Sequence, residues 1–173
     1  MAQKLVVIGA GMASGRMLEH IFRSKGAFDV TLFNAEPRGN YNRLMLSPVL
    51  SGEKTYDQIV THDADWYASH GVDCRFGEPV VKIDRANRLV HSAAGAVPYD
   101  ALVIATGSAP FIIPVPGNDL PGVVTYRDLE DTNAMIAASA PGSKAVVIGG
   151  GLLGLEAAAG MAARGAEVTV IHL

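Results

Sequence analysis

Residues 5–15, which read LVVIGAGMASG, constrain the fold of this chain more than any other stretch. The first four residues, LVVI, predict a strand buried on both faces, as in the middle of a parallel sheet. Gly9 permits a tight turn, and Gly11 lets a phosphate approach the backbone because no Cβ stands in the way. A helix is expected to begin at Met12, where unpaired amides and the helix dipole favour an anion. The stretch therefore predicts a cradle for the pyrophosphate of a dinucleotide.

The third small position of the motif G-x-G-x-x-G is held by Ser14, with Gly15 beside it. Helix and strand pack closely at this position, and serine is small enough to weaken the match only slightly. A lone motif of this kind also arises by chance in glycine-rich turns. The flanking strand and helix therefore carry much of its weight.

Composition narrows the class of protein. The 173 residues fit one domain of ordinary size, and 49% of them are hydrophobic, which is ample for a core. A formal charge of −3 without a cluster of Lys and Arg argues against a nucleic-acid partner. No apolar run approaches the roughly 18 residues of a membrane span, and no signal-like sequence precedes the first strand. We therefore expect a cytoplasmic protein with no membrane partner.

The chain has a single cysteine, Cys74. One cysteine excludes an internal disulfide, a redox-active pair and a thiolate-held iron–sulfur cluster within these residues. Alternation of apolar and polar residues around it predicts a half-buried strand in which Cys74 is a small core residue. We assign it no catalytic role.

A second strand is predicted from Val30 to Phe33, after a helix that Gly26 would end. Together with the first strand it forms a βαβ unit, in which an acidic residue near the end of the second strand binds ribose hydroxyls. Asn34 occupies the usual place of that residue, and Glu36 follows two positions later. We assign ribose binding to Glu36; the alternative is a solvated loop carboxylate.

Residues 38–48, RGNYNRLMLSP, show no clear period and predict a loop. Arg43 stands there among apolar and aromatic residues, so the loop is suited to bring a cation and flat apolar contacts to a cofactor. The alternative is that Arg43 pairs with a surface carboxylate.

His62, Asp63 and Asp65 crowd together at the start of a short predicted helix, which Thr61 is expected to cap. A metal site is one interpretation of this group. Capping and interaction with the helix dipole are favoured over coordination, so no metal ligand is assigned.

The middle of the chain predicts smaller elements. Short alternating runs between Val80 and Tyr99 predict an antiparallel meander, and the run ALVIATG from Ala101 predicts another buried parallel strand. Prolines and glycines between residues 110 and 122 predict a linker. A helix is then expected from Asp128 to Ala140.

The opening motif recurs near the end of the chain. Gly149, Gly151 and Gly154, in GGGLLGLE, match G-x-G-x-x-G in full, between a strand ending at Ile148 and an Ala- and Leu-rich helix. A further strand, 168–171, follows. Two such cradles predict two dinucleotides, a nicotinamide nucleotide and a flavin, with hydride transfer between them.

The motifs GAGMAS, YNRLMLSP, ATG and GGGLLGLE, in this order, resemble the two-dinucleotide-binding flavoprotein reductases. The stretches YNRLMLSPVLSGEKT and THDADWYASHG are most similar to the FAD domain of the large subunit of NAD(P)H-dependent nitrite reductases, with rubredoxin and ferredoxin reductases next. The resemblance implies an α/β fold. A Rossmann-like FAD-binding domain with a small antiparallel meander would span residues 1–113, lacking its C-terminal return segment. A linker and the beginning of a second Rossmann-like, NAD(P)-binding domain would span 114–173.

The resemblance also implies roles for particular residues. Thirteen would bind cofactor: Gly9, Gly11, Met12 and Ser14 at the FAD pyrophosphate; Glu36 at the adenosine ribose; Arg43 at the pyrophosphate or flavin; Val81 beside the adenine; Thr106 and Gly107 over the FAD; Gly149, Gly151 and Gly154 at NAD(P)H; and Glu156 near the nicotinamide or flavin. For Glu156 the alternative is a carboxylate satisfied by the helix dipole. No side chain is expected to act as a catalytic nucleophile or acid.

The function implied for the parent protein is transfer of hydride from NAD(P)H to FAD, with electrons passing to a nitrite-reducing siroheme and iron–sulfur centre outside these residues. One alternative is a reductase of a carrier such as rubredoxin or ferredoxin; another is a nucleotide-binding module without turnover. His172, in the usual acid position of the second cradle, does not choose between NADH and NADPH. We expect a fragment with an exposed apolar face from Ala145 onward, and therefore a homo-oligomer, a swapped dimer or local disorder.

Overall fold

The computed structural model describes residues 2–24 and 27–173, which divide into two compact units. The first unit holds the described residues up to Tyr41 together with Val60–Gly107, and the second holds Asn42–Ile59 and Ser108–Leu173. The elements in chain order are β1 (Gln3–Ile8), α1 (Met12–Arg23), β2 (Phe28–Asn34), β3 (Asn40–Tyr41), α2 (Leu46–Ser51), β4 (Val60–His62), α3 (Ala64–Ser69), β5 (Asp73–Phe76), β6 (Lys82–Asp84), β7 (Leu89–Ser92), β8 (Gly95–Pro98), β9 (Ala101–Ile104), α4 (Leu129–Ala138), β10 (Lys144–Ile148), α5 (Leu152–Ala163) and β11 (Glu167–Ile171).

A four-stranded parallel sheet in the order β5-β2-β1-β9 forms the centre of the first unit. Ile8 at the end of β1 lies opposite Phe33 of β2 and Ile104 of β9, so the carboxyl ends of these three strands meet at one edge. The last four residues of β1 are all buried, which confirms the prediction of a strand covered on both faces. The sheet thus presents the predicted first cradle at its carboxyl edge, where α/β folds bind ligands.

Strand β9 differs from its prediction. The apolar run ALVI does form a parallel strand, but Ile104 is 62% exposed. In the described sheet β9 pairs only with β1 and lies at the edge, so it lacks a covering neighbour on its other side. The expectation of full burial was therefore wrong for this strand.

Helix α1 covers the first sheet. Leu18 is fully buried, and Met17, Ile21 and Phe22 pack against the same cluster, as the helical spacing predicts. The helix ends at Arg23 with Ser24 as its C-cap residue. Gly26, the predicted end, lies outside the described residues.

The three short runs between Val80 and Tyr99 form the predicted meander, an antiparallel sheet in the order β6-β7-β8. Its central residue Val90 is fully buried against Val6, Ile8 and Phe33. The meander therefore covers one face of the parallel sheet.

Residues 38–48 are not the loop that was predicted. They contain β3, a 3-10 helix (Arg43–Met45) and the start of α2. The 3-10 helix begins because the side chain of Asn42 accepts a hydrogen bond from the Leu44 amide, at 3.1 Å. A side chain that caps a backbone turn leaves no periodic signal in the sequence, which is why this structure was missed.

The predicted cap of α3 was also wrong. Asp63, not Thr61, caps this helix by accepting the Trp66 amide hydrogen at 2.8 Å. The Thr61 hydroxyl instead donates to the Asn40 carbonyl at 3.1 Å. Capping was the favoured interpretation of this acidic group, and the described residues contain no group of three or more His, Cys, Asp and Glu suited to hold a metal ion.

The second unit contains the parallel pair β10 and β11 with helices α2, α4 and α5. Its buried cluster joins Leu50 of α2, Met135 of α4 and Met161 of α5. Helix α4 matches its prediction, and the Asp128 side chain caps it by accepting the Asp131 amide hydrogen. Between β9 and α4 the structure has turns without a helix or strand, as the prolines predict.

An apolar surface of the second unit is open to solvent, as predicted. The exposed large apolar residues of β10, β11 and α5 are Val146, Ile148, Leu152, Leu153, Leu155, Val170 and Ile171. Burial of such a surface favours association, but the oligomeric state stays a prediction. None of the helices in the part of the chain that the structure describes has the length and apolar character needed to span a bilayer. The cytoplasmic location likewise stays a prediction.

Candidate dinucleotide-binding sites

The turn of the first cradle requires glycine at position 9. Gly9 has a φ of +103°, and a Cβ built on it would lie 2.3 Å from the Ala105 carbonyl oxygen. Its amide donates to the Phe33 carbonyl at 2.7 Å. The turn is therefore packed against the ends of β2 and β9, as the motif predicts.

Gly11 is the N-cap residue of α1, and its surroundings suit an anion. No heavy atom lies within 4 Å of a Cβ built on Gly11. No side chain caps α1, and its first turn, which begins at Met12, contains no acidic residue. A helix start with open space, an accessible backbone and no competing carboxylate fits a pyrophosphate.

Ser14 does more than provide a small side chain. Its buried hydroxyl oxygen lies 2.6 Å from the Gly9 carbonyl oxygen and 3.0 Å from that of Gly11. The hydroxyl therefore ties the first turn of α1 to the glycine turn. The substitution of glycine by serine in the motif gave no sign of this contact.

Asn34 and Glu36, at the end of β2, have different contacts. The Asn34 side chain accepts the Ala10 amide hydrogen at 3.3 Å and donates to the Arg38 carbonyl at 2.8 Å. The Glu36 carboxylate accepts the hydroxyl of Tyr41 at 2.8 Å, and its side chain is only 16% exposed. Glu36 is thus not a solvated loop carboxylate; its contact with ribose stays a prediction.

The remaining predicted FAD contacts of the first unit lie near strand ends. Thr106 follows Ala105, the residue whose carbonyl packs against Gly9. The Thr106 Cα would lie 3.1 Å from a Cβ built on Gly9. Gly107 follows it in the chain. Val81 is 71% exposed, and its amide donates to the His91 carbonyl at 2.8 Å. The structure therefore brings Thr106 to the first cradle, and it leaves the Val81 side chain available to a ligand.

The second cradle repeats the first. Gly149 has a φ of +115°, and its amide donates to the Ile171 carbonyl at 2.8 Å. Gly151 is the N-cap residue of α5, with no capping side chain, no acidic residue in the first turn and no heavy atom within 4 Å of a built Cβ. A Cβ on Gly154 would lie 1.9 Å from the Gly149 carbonyl oxygen. Here the third glycine is a steric requirement.

His172 repeats the role of Asn34. Its Nδ1 accepts the Gly150 amide hydrogen at 3.2 Å, just as the Asn34 side chain accepts that of Ala10. The two residues occupy equivalent places at the end of the second strand of each βαβ unit. Asn34 follows Phe33, which lies opposite Ile8, and His172 follows Ile171, which lies opposite Ile148. In each cradle, a side chain from the end of the second strand therefore accepts a hydrogen bond from the equivalent backbone amide.

Comparison with known proteins agrees with this double arrangement. The family model of the pyridine nucleotide-disulphide oxidoreductases matches residues 3–173. The chain belongs to this family. Membership confirms the predicted class of oxidoreductase, and it implies FAD and NAD(P)H as the cofactors. The parallel sheets of the structure confirm the α/β fold.

Within this family, the chain is similar to a nitrite reductase and to reductases of electron-carrier proteins. The chain is 48% identical over 173 residues to the NAD(P)H nitrite reductase of Bacillus subtilis (strain 168), covering 99% of this chain and 22% of the relative. It is 36% identical over 175 residues to the ferredoxin–NAD(+) reductase component of the biphenyl dioxygenase system of Paraburkholderia xenovorans (strain LB400), covering 99% of this chain and 42% of the relative. The covalent putidaredoxin reductase–putidaredoxin complex matches with a TM-score of 0.87 and 28% identity, over 98% of this chain and 42% of that chain. The chain thus spans less than half of each.

Two further residues predicted to bind cofactor belong to the second unit. The Arg43 guanidinium donates to the Arg127 carbonyl at 3.1 Å. The Glu156 carboxylate accepts the Ser47 hydroxyl hydrogen at 2.6 Å, and the Tyr126 hydroxyl donates to Ser47 Oγ at 3.1 Å. Burial raises the pKa of Tyr126, so this hydroxyl keeps its proton. Glu156 is therefore held by the Ser47 hydroxyl, which in turn accepts the hydroxyl hydrogen of Tyr126. Neither Ser47 nor Tyr126 was identified from the sequence.

The family name includes disulphide chemistry, but these residues contain only Cys74. The side chain is half-buried in β5, and burial raises its pKa to about 11. A thiol with this pKa is almost entirely protonated at neutral pH, so it is a poor nucleophile. Cys74 is a packing residue, as predicted.

We therefore expect Cys74 to react with iodoacetamide at pH 8 at least about tenfold more slowly than a cysteine in an unstructured peptide, because its thiolate is scarce. Mass spectrometry of the alkylated chain over time measures the rate. The same chain in denaturant is the control and should react at the peptide rate. Equal rates in the native and denatured chains would contradict the structural role.

Proposed function

We propose that this chain forms the FAD-binding part and the beginning of the NAD(P)H-binding part of a flavin-dependent reductase of the nitrite reductase large-subunit type. The observation that carries the proposal is the presence of two cradles, each with an open glycine at an uncapped helix start. The domain assignment proposed with it is 1–113 for FAD and 114–173 for the linker and NAD(P)H.

The residues of the first cradle bind and orient FAD in this proposal. Gly11 and the start of α1 at Met12 receive the pyrophosphate, because that helix end is open and carries no competing anion. Glu36, held by Tyr41, binds the adenosine ribose. Val81 lies along the adenine, and the segment of Thr106 and Gly107 closes over the cofactor.

The second cradle binds NAD(P)H in the same way. Gly149 and Gly154 make the tight turn beneath α5, and Gly151 leaves room for the pyrophosphate. Glu156, held by Ser47, is assigned to the nicotinamide or flavin end of the site. Arg43 is assigned to the pyrophosphate or flavin of FAD.

Bound FAD supplies the redox chemistry, because it accepts two electrons as a hydride and releases them singly. The residues of this chain contribute binding and orientation, which control the rate of such a transfer. No side chain of this segment is required to move a proton or to form a covalent bond.

The proposed electron acceptor is a siroheme and iron–sulfur centre that reduces nitrite, because the similarity to a nitrite reductase is 48% identity over the whole chain. The alternative acceptor is a carrier protein, which the ferredoxin reductase relative and the putidaredoxin complex favour. The coding sequence around this chain distinguishes them. Cysteines spaced for a cluster would support the nitrite reductase, and a two-domain flavoprotein without them would support the carrier reductase.

The test of the proposal is anaerobic mixing of the FAD-loaded chain with NADH or NADPH while the visible flavin band is recorded. We expect the band to bleach with at least one of the two nucleotides. A Gly151→Val variant should retain FAD but lose the bleaching, because the valine fills the open space of the second cradle. A chain that binds FAD and a nicotinamide nucleotide together, without bleaching of the flavin band, would overturn the reductase function. It would support a nucleotide-binding module.

A further inference from the structure

The antiparallel pair β3 and β4, here called the β3–β4 ribbon, joins Asn40–Tyr41 to Val60–His62. Both strands belong to the first unit. The ribbon contacts two elements that the proposed function assigns to FAD, which are α1 and the segment that carries Glu36. Nothing in the glycine motif itself requires this ribbon.

A chain of hydrogen bonds, buried at Asn40 and His62 and half-buried at Glu19, connects the ribbon to α1. His62 Nδ1 lies 3.0 Å from Asn40 Nδ2, and His62 Nε2 lies 3.0 Å from Glu19 Oε1. The Asn40 amide nitrogen is a donor only, so Nδ1 accepts and the proton of the neutral imidazole is assigned to Nε2, which donates to Glu19. A hydrogen bond from Arg16, above all, lowers the pKa of Glu19, so its carboxylate is ionised and suited to accept.

The backbone of α1 packs against the hydrogen-bonded side chains of Asn40 and His62 at Gly15. A Cβ built on Gly15 would lie 2.5 Å from Asn40 Nδ2 and 2.8 Å from His62 Nδ1. Both polar side chains are buried, His62 at 6% exposure and Asn40 at 3%. Gly15 is the neighbour of Ser14, whose hydroxyl holds the Gly9 turn. The contact therefore fixes α1 one residue from the cradle.

The next residue of the ribbon holds the second element. The side chain of Tyr41 is buried, and its hydroxyl donates to Glu36 Oε2 at 2.8 Å. A carboxylate that receives such a bond is restricted in orientation before any ligand arrives. Preorganisation of this kind raises affinity because less conformational freedom is lost on binding.

We propose that the β3–β4 ribbon is a positioning element for FAD. Asn40 and His62 hold α1, and thereby the pyrophosphate cradle, while Tyr41 holds the Glu36 carboxylate for the ribose. These residues act through α1 and Glu36, without a contact of their own to the cofactor. The inference rests on the proposed binding of FAD at the first cradle.

The test measures the FAD dissociation constant by quenching of flavin fluorescence, and thermal unfolding of the FAD-free chain. Tyr41→Phe removes only the hydroxyl that donates to Glu36, and the ion pair of Glu36 with Arg38, at 3.8 Å, remains. We expect this variant to weaken FAD binding about tenfold, the free energy of ordering one side chain that is no longer held before FAD binds. Tyr99→Phe is the matched control and should leave the affinity unchanged.

Two substitutions of Glu19 test whether the bond from His62 positions α1. Glu19→Leu removes the acceptor for His62 and should weaken FAD binding about tenfold, because α1 is then less ordered before FAD binds. Glu19→Gln keeps an acceptor oxygen and should stay within about twofold of wild type. His20→Gln, at an exposed position of the same helix, is the control. Because Arg16 and Arg23 also pair with Glu19, the rescue by glutamine separates the bond to His62 from these ion pairs.

The outcomes distinguish a failure of the positioning role from a failure of FAD binding. Wild-type affinity in Tyr41→Phe and Glu19→Leu would overturn the positioning role while leaving FAD binding intact. Equal weakening in Glu19→Leu and Glu19→Gln would overturn the role of the His62 bond. A wild-type chain that binds no FAD would overturn the proposed function itself, and the inference with it.

Discussion

A Gly11→Val variant is expected to bind FAD at least about a hundredfold more weakly than wild type, because side-chain atoms would occupy the space assigned to the pyrophosphate. The same change should lower the free energy of unfolding of the FAD-free chain by no more than about 1 kcal/mol. Gly11 has an extended backbone that valine adopts, with no heavy atom within 4 Å of the built Cβ. The effect therefore falls on the ligand and not on the fold.

Equilibrium titration with FAD and chemical denaturation of the FAD-free chain measure the two quantities separately. Gly151→Val is the matched control, because it makes the same change at the equivalent position of the second cradle and should leave FAD affinity unchanged. If Gly11→Val bound FAD as tightly as wild type, the first cradle would not be the pyrophosphate site.

A Gly154→Ala variant is expected to show the reverse pattern, with a loss of at least about 3 kcal/mol in the unfolding free energy of the second unit. The added Cβ would lie 1.9 Å from the Gly149 carbonyl oxygen, a distance that no side-chain rotation relieves. Helix α5 would have to move away from the glycine turn. That movement would break the packing of Ala157 and Met161 in the buried cluster.

Limited proteolysis within residues 145–173 and denaturant unfolding monitor this loss. Gly151→Ala is the control, because its Cβ meets open space, and it should unfold within about 1 kcal/mol of wild type. A Gly154→Ala chain as stable and as protease-resistant as wild type would contradict the close approach of α5 to Gly149.

The regular elements of this fold are predictable from sequence. Helix α1 and the meander show apolar residues with a fixed period, the buried strands β1 and β2 show short apolar runs, and α5 is rich in Ala and Leu. The two glycine motifs then place both cradles at strand ends, because the turn, the open backbone and the close helix contact each require a small residue. These features depend on neighbours in the chain.

Contacts between distant residues could not be predicted in this way. Gly15 was noted only as the neighbour of Ser14, yet it faces Asn40 and His62, which lie 25 and 47 positions further along the chain. Ser47, the partner of Glu156, and Tyr126, the partner of Ser47, are also remote in sequence from the residues they bind. Such pairs are set by packing of whole elements, and no local period records them.

The edge position of β9 was missed for a related reason. Its apolar run is typical of a central strand, but burial depends on how many strands flank it. In the described sheet β9 has one partner, so Ile104 is exposed. A single sequence reports the character of a strand and leaves its place in the sheet undetermined.

The binding of FAD by the first cradle is tested most directly by the visible absorbance spectrum of the purified chain, with mass identification of any released cofactor. We expect flavin bands at near-stoichiometric occupancy, or full uptake of added FAD, and release of FAD as the only flavin. A colourless chain that fails to take up added FAD in equilibrium dialysis would contradict the assignment of the first cradle.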